Sequence, residues 1–396
     1  MTFHPIAFLV ACAGFCVLAL AQATPAPPAD APVKKLKDVV IYRDDTFYSA
    51  FPSIVRRPDG ELLVGFRRAP DGRNFSGSAK VTHTHPASQL VLVRSTDNGE
   101  SWTKQPQLIF AHPRGGLQDP CMVQLDDHSI LCASYGWALI PEKVGQNLKN
   151  PFRHGDFVFM GGTMYRSGDG AKSWTEILLP PTRGQERLDP FNQPVPAYNR
   201  GAMCQGKDGR LFWVTAMGNP GNTNVTGTHL LISDDRGQTW NYGCPVAVDE
   251  KVTFNETSIY ETPKGDLVAF LRTANLDDHT AVARSTDGGK SFAKWEDAGF
   301  KGHPHYALRL PDDRVLLVYG YRHKPFGIRA RVLNAECTDF KTAPEIVLRD
   351  DGGGHDLGYP WATMLDGDRA LVVYYFNEKD GPRYIAGTLL AIERGK

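Results

Sequence analysis

Apolar residues in this chain come in short, strand-length runs, paired around turn residues. Six segments share one grammar: a small or polar start, an apolar strand, a turn, and a second apolar strand. They are FPSIVRRPDGELLVGFR from Phe51, DPCMVQLDDHSILCASY from Asp119, RGAMCQGKDGRLFWVTA from Arg200, ETSIYETPKGDLVAFLR from Glu256, HPHYALRLPDDRVLLVYG from His303 and YPWATMLDGDRALVVYY from Tyr359. Each predicts a hairpin of two buried strands around an Asp-Gly or similar turn.

A second repeat, Ser-x-Asp-x-Gly-x-x-Trp, follows the first four hairpins. It reads STDNGESW at Ser95, SGDGAKSW at Ser167, SDDRGQTW at Ser233 and STDGGKSF at Ser285. Ala171 replaces glycine in the second copy and Phe292 replaces tryptophan in the fourth. Each copy follows an apolar run, so it sits at a strand end and turns the chain into the next strand. Glycine accepts positive φ, the aspartate bonds nearby backbone N–H groups, and the aromatic packs beneath. This spacing closely resembles the Asp boxes of sialidase-like propellers. The resemblance puts these aspartates on a rim, away from any active site.

Six hairpins count as six blades, which predicts an all-β, six-bladed β-propeller of sialidase-like type. A fifth box near Ala335 to Phe340 is degenerate. The strand DVVIYRD, Asp38 to Asp44, is placed to close the last blade. Radial repetition of this kind hides sheet edges. Residues 38–396 are read as one domain.

Composition narrows the function classes. Lys+Arg 44 balances Asp+Glu 44, without the cationic surplus that phosphate binding needs, so a nucleic-acid partner is not expected. Ile6 to Ala21 is apolar and precedes the small-x-small pattern Ala21-Gln22-Ala23. Residues 1–23 are read as a secretory signal, with a retained anchor as the rival, and 24–37 as an Ala/Pro-rich linker. The mature protein is expected to be secreted or periplasmic, off the membrane. Two of seven cysteines leave with the signal. The other five have no CxxC spacing and read as buried small hydrophobes, although Cys121 and Cys132 could pair across neighbouring strands.

The first strand of each propeller blade lines the central channel. Its opening residues are therefore site candidates by geometry: Phe51, Asp119, Arg200, Glu256, His303 and Tyr359. Most are polar, unlike ordinary buried strand starts. The mature chain resembles the sialidase superfamily over nearly its whole length. That resemblance implies a retaining glycosidase with a Tyr nucleophile, a Glu that activates it, an Asp acid/base and three arginines on the substrate carboxylate. Asn255-Glu256-Thr257-Ser258 matches the Glu segment, Arg272 one arginine, and Gly358-Tyr359-Pro360 the nucleophile. A neutral phenol suits an anionic sugar, which would repel a carboxylate nucleophile. Arg67 and Arg68 fit a pocket-facing strand end.

The rest departs from that pattern. Ala50 stands where the first arginine belongs, and Ser88-Gln89 where the acid/base Asp belongs. Arg322, then Arg329, are the candidates for the third arginine. His85, with His83, lies in the loop expected to carry the acid. Asp119 is the other acid candidate and Asp356 a weaker one. The pairs His83/His85 and His303/His305 are read as pocket hydrogen-bonders or loop residues, and neither a metal nor a cofactor is expected. The catalytic candidates are Tyr359, Glu256, Asp119 and His85. The substrate-binding candidates are Arg272, Arg67, Arg68, Arg200, Arg322 and His303. The expected activity is exo-acting removal of a terminal acidic sugar from a glycoconjugate. The alternatives are a related glycosidase for another sugar and a non-catalytic carbohydrate-binding propeller.

Overall fold

The computed structural model describes residues 32–73, 84–149, 151–183, 188–219, 222–379 and 381–393. The proposed signal, most of the linker and His83 lie outside these residues. Six antiparallel sheets succeed one another along the chain, one per predicted hairpin, so the fold is a six-bladed β-propeller. Five blades are built from consecutive strands. The sixth pairs Gly358–Leu365, Arg369–Asn377 and Arg383–Ile392 with Val33–Tyr42 from the start of the chain. The closing strand begins at Val33, five residues before the predicted Asp38, inside the segment read as linker. Apart from the exposed Leu36, Lys34 to Asp38 are polar, so it is pairing with Thr388 to Ala391 that marks them as strand.

The strands are nearly all apolar because blades pack face to face and both faces are buried. Leu62, Val64 and Phe66 of blade one, Trp213 of blade three and Val373 of blade six belong to one continuous core. Five cysteines are free thiols; Cys121 faces Ala133 and Cys132 faces Met122, so the two never stand opposite each other.

The boxes repeat one geometry at the rim. In the first, Asp97 accepts Ser101 N at 2.9 Å, Ser101 Oγ at 2.5 Å and Ser95 Oγ at 2.8 Å, while Ser95 Oγ accepts Gly99 N at 2.9 Å. Asp169, Asp235 and Asp287 repeat it. These hydrogen bonds hold the Asp97 carboxyl down to about 2. Glycine is favoured at the fifth box position because φ is positive there; Ala171 adopts φ 64° and its methyl joins a buried cluster. The degenerate fifth box is a different loop, in which Asp339 accepts Asn334 N and Asn334 accepts Thr338 N.

Candidate functional site

Three strand openings are distorted, and each distortion aims a side chain. Ladder pairing skips between Phe254 and Thr257, between Gly358 and Trp361, and between Ala50 and Ser53. Bulges of this kind re-aim residues that strict alternation would send elsewhere. The first exposes Glu256, whose N–H is caught by Asn255 Oδ1 at 2.8 Å. The second holds Tyr359 at φ 53°, and the third holds Phe51 at φ 58°. Positive φ is costly for aromatic residues and clusters at functional sites.

Glu256, Arg272 and Tyr359 converge. Tyr359 Oη donates to Glu256 Oε1 at 2.6 Å, and Arg272 Nη1 donates to Glu256 Oε2 at 2.5 Å and to Tyr359 Oη at 3.0 Å. Burial pushes the Glu256 carboxyl up, but Arg272 and the phenol hydrogen bond outweigh it and hold Glu256 below the usual range. Burial and Glu256 push the Tyr359 phenol well above its ordinary value. The resting state is thus a neutral phenol donating to a carboxylate. Arg272 holds both and reaches solvent with about a fifth of its side chain exposed.

The other openers pack around Tyr359. The Arg200 guanidinium lies 5.0 Å from the Tyr359 ring centre and 4.9 Å from that of Trp361, and Nη2 donates to Pro52 O and Tyr359 O. Arg200 is therefore a buried brace beneath the nucleophile position. Phe51 meets Tyr359 edge-on at 4.7 Å and Tyr375 at 5.0 Å. Arg322 lies 5.0 Å over the same Tyr359 ring, donating to Leu357 O at 3.0 Å and Tyr375 Oη at 2.7 Å. Arg329 instead turns into its own blade, bonding Pro325 O. His303 is buried, with Nδ1 4.0 Å from Asp278 Oδ1. Burial, Arg272 and Arg322 keep its imidazole neutral.

Blades one and two supply the remaining candidates. The first strand of blade two breaks at Gln118-Asp119-Pro120, between Gly116–Leu117 and Cys121–Gln124. Asp119 falls in that break, fully buried, with neither carboxylate oxygen hydrogen-bonded and Arg200 Nε 3.9 Å away. Burial pushes its carboxyl up to about 7, with Arg200 pulling the other way and Glu256 adding to the rise. Arg67 is also fully buried; Nε donates to Ser88 Oγ at 3.3 Å, and Nη1 and Nη2 make no hydrogen bond. Ser88 N donates to His85 O, and Ser88 O accepts from Leu117 N, so the loop is tied to blade two. His85 is half-buried there, and burial and Arg67 push it below its usual value.

Arg68 does not join this group. Strand alternation sends it to the opposite face from Arg67, over the Phe47 ring at 4.4 Å and within 3.3 Å of Tyr42 Oη. Asp356 is accounted for structurally, since Tyr48, Tyr375 and Arg383 all donate to it. Tyr135 was not among the sequence candidates; burial pushes its phenol well up, and Asp119, Tyr359 and Glu256 add to the rise, which places it in the same electrostatic neighbourhood. The structure sets it there, with Gln118 N donating to Tyr135 O one residue from Asp119. No group of three or more His, Cys, Asp or Glu among the described residues could hold a metal.

Comparisons agree with this architecture. The BNR repeat-like domain family matches residues 154–368. A crystal structure of a protein of unknown function from Dyadobacter fermentans is 57% identical, with TM-score 0.88, over 91% of this chain and 100% of that one. The NanB sialidase of Streptococcus pneumoniae is 16% identical, with TM-score 0.62, over 92% of this chain and 71% of that one. The α-L-arabinanase of Penicillium chrysogenum is 12% identical, with TM-score 0.61, over 91% and 99%. No curated protein matches the sequence. The last two similarities speak for the fold alone. With its boxes, six blades and family match, the chain belongs to the BNR repeat-like domain family, in a six-bladed propeller fold that it shares with the sialidase and the arabinanase.

Proposed function

We propose that this protein is a retaining exo-glycosidase that removes a terminal acidic sugar, a sialic acid or similar carboxylated residue, from a glycoconjugate. The observation that carries this reading is the Tyr359–Glu256–Arg272 constellation, with its 2.6 Å phenol–carboxylate hydrogen bond. Tyr359 Oη attacks the anomeric carbon as its proton passes to Glu256, and the bond to the leaving oxygen breaks. A phenol held so far below its ordinary acidity by burial and Glu256 does not ionise first, so proton loss and attack are coupled. Water then attacks the anomeric carbon and gives a proton to the residue that protonated the leaving oxygen, while the bond to Tyr359 Oη breaks and Glu256 returns its proton to the phenol.

The leaving oxygen needs a proton. Asp119, at about 7, holds one for half the time at neutral pH, which suits a general acid. His85, pushed below its usual value, is the weaker proton carrier.

Anion recognition supports the acidic sugar. Arg67, Arg200, Arg272 and Arg322 stand among three carboxylates, Glu256, Asp119 and Asp356, the last already bound by Tyr48, Tyr375 and Arg383. Arg67 keeps two donors unmade in a buried position, at a cost that a carboxylate would relieve. Ala50 favours a second reading, a different sugar handled by an altered anion site, because that position is buried and offers no donor. The protein is further proposed to act outside the cytoplasm, on the strength of the apolar N-terminal segment. Following the anomer released from a panel of carboxylated and neutral aryl glycosides by proton NMR tests the reading. Retained configuration on a carboxylated substrate is expected. An inverted product, or faster turnover of the neutral counterpart, overturns it.

A further inference from the structure

Blade two stands taller than its counterparts on the far side of the channel. Its second and third strands, Ile130–Leu139 and Phe157–Ser167, have 10 and 11 residues, against 7 and 7 in blades four and five. The extra length lies at the channel end, because the second strand returns toward the openings. Gly116 pairs with Trp137 and Leu117 with Gly136. Tyr135 and Trp137 thus share one strand face and extend outward from the level of Asp119.

These rings belong to a cluster centred on Phe159, which is buried. Trp137 meets it at 4.9 Å, Tyr198 at 4.5 Å, Phe152 at 5.7 Å and Tyr135 at 6.0 Å. Two glycines make this possible. A Cβ on Gly161 would lie 2.5 Å from Pro196 Cδ, and one on Gly162 would overlap Ala197 O, so only glycine lets the segment carrying Tyr198 close on the strand. A bulge between Phe159 and Gly161 aims the rings outward. Tyr135 and Trp137 are only half-buried, Phe152 is 37% exposed and Leu139 47%.

We infer that this aromatic shelf is the subsite for the leaving side of the glycan, binding a neutral hexopyranose by stacking its apolar face on Trp137 beside Tyr135. The inference rests on the proposed glycosidase reading. The occupant follows from continuity: the shelf begins at Tyr135, whose carbonyl accepts Gln118 N beside Asp119, and runs outward over Trp137 to the Phe152 and His154 rings, 5.5 and 6.5 Å from Trp137. The anionic sugar sits among the arginines, and the next ring along the chain meets aromatic faces. Amphipathic rings with few rotatable bonds, locked on a buried anchor, bind such a surface at low ordering cost.

Two arms test it. In the first, kcat/KM is measured for an extended glycan and for the glycosyl fluoride of the same terminal sugar, whose leaving group cannot reach the shelf. Trp137→Ala should lower the glycan-to-fluoride ratio about five- to tenfold, as expected for one lost ring contact, and Trp137→Phe should restore most of it. In the second, saturation-transfer NMR follows a panel of neutral disaccharides (lactose, cellobiose and maltose). At least one should contact the native protein and lose that contact in Trp137→Ala. Equal loss on both substrates, or no disaccharide binding, overturns the shelf. Hydrolysis of neither substrate, with disaccharide binding intact, would instead overturn the glycosidase reading and leave the shelf standing.

Discussion

The rim and the channel use the same residue types to opposite ends. At the rim, each Asp-box carboxylate is satisfied several times over by serine or threonine hydroxyls and backbone N–H groups, and its acidity is strengthened. In the channel, Asp119 has no hydrogen bond and is pushed up to about 7, and Arg67 leaves two donors unmade. Satisfied groups hold a hairpin. Unsatisfied buried groups cost stability and persist where a ligand or a proton completes them. The contrast separates fold-bearing from chemistry-bearing polar residues in one molecule.

The largest effect should come from the constellation itself. Glu256→Gln keeps the shape but removes the proton acceptor, and should lower kcat about 10²- to 10⁴-fold, the usual worth of a general base. Stopped assays on an aryl glycoside check this; a loss under threefold would place Glu256 with the rim residues. Arg67→Met should come next. If Arg67 completes its bonds on the substrate carboxylate, kcat/KM should fall about tenfold to a hundredfold, for a lost charge-assisted contact of roughly 1.5–3 kcal/mol. The melting temperature should hold or rise, because a buried, underbonded charge has gone. A large fall in melting temperature with unchanged kinetics would make Arg67 structural.

Asp119→Asn sharpens the comparison through pH. The folded carboxyl titrates near 7, above its ordinary 3.8. The folded state therefore holds the proton more tightly, and stability falls as pH rises between those values, with the full penalty present above 7. The native melting temperature should decline over this window, and the variant should lack that decline and melt higher at alkaline pH. Activity through the protonated acid should fall above about pH 7 in the native enzyme. A variant that melts lower at alkaline pH would break the assignment. The smallest effect belongs to the rim. Asp287→Ala should cost a few degrees of melting temperature and leave turnover per folded molecule unchanged. A marked loss of turnover would blur the distinction between the two regions.

Legibility followed the same division. The repeats announce the blades because every hairpin needs the same turn chemistry, so Ser285 to Phe292 can be read against Ser95 to Trp102 with no structure in hand. The sequence shows the closing strand but not its start, because Lys34 to Asp38 carry no apolar alternation and only their pairing with Thr388 to Ala391 reveals them. The channel was legible where a strand opening supplies the residue, as for Glu256 and Tyr359. It was less so where strand parity decides, since Arg67 and Arg68 are adjacent and only one turns inward. Tyr135 escaped notice because it enters from the second strand of its blade, and the tall wall of blade two depends on Gly161 and Gly162 yielding to a distant segment.

The central claim is that Tyr359 is the nucleophile, and covalent trapping tests it most directly. An activated fluorosugar with a carboxylated ring, incubated with the enzyme and followed by peptide mass spectrometry, should leave one glycosyl adduct on the peptide containing Tyr359. The Tyr359→Phe variant should carry none. Turnover of the substrate with an adduct on Glu256 or Asp119, or an unlabelled enzyme releasing inverted product, would contradict it.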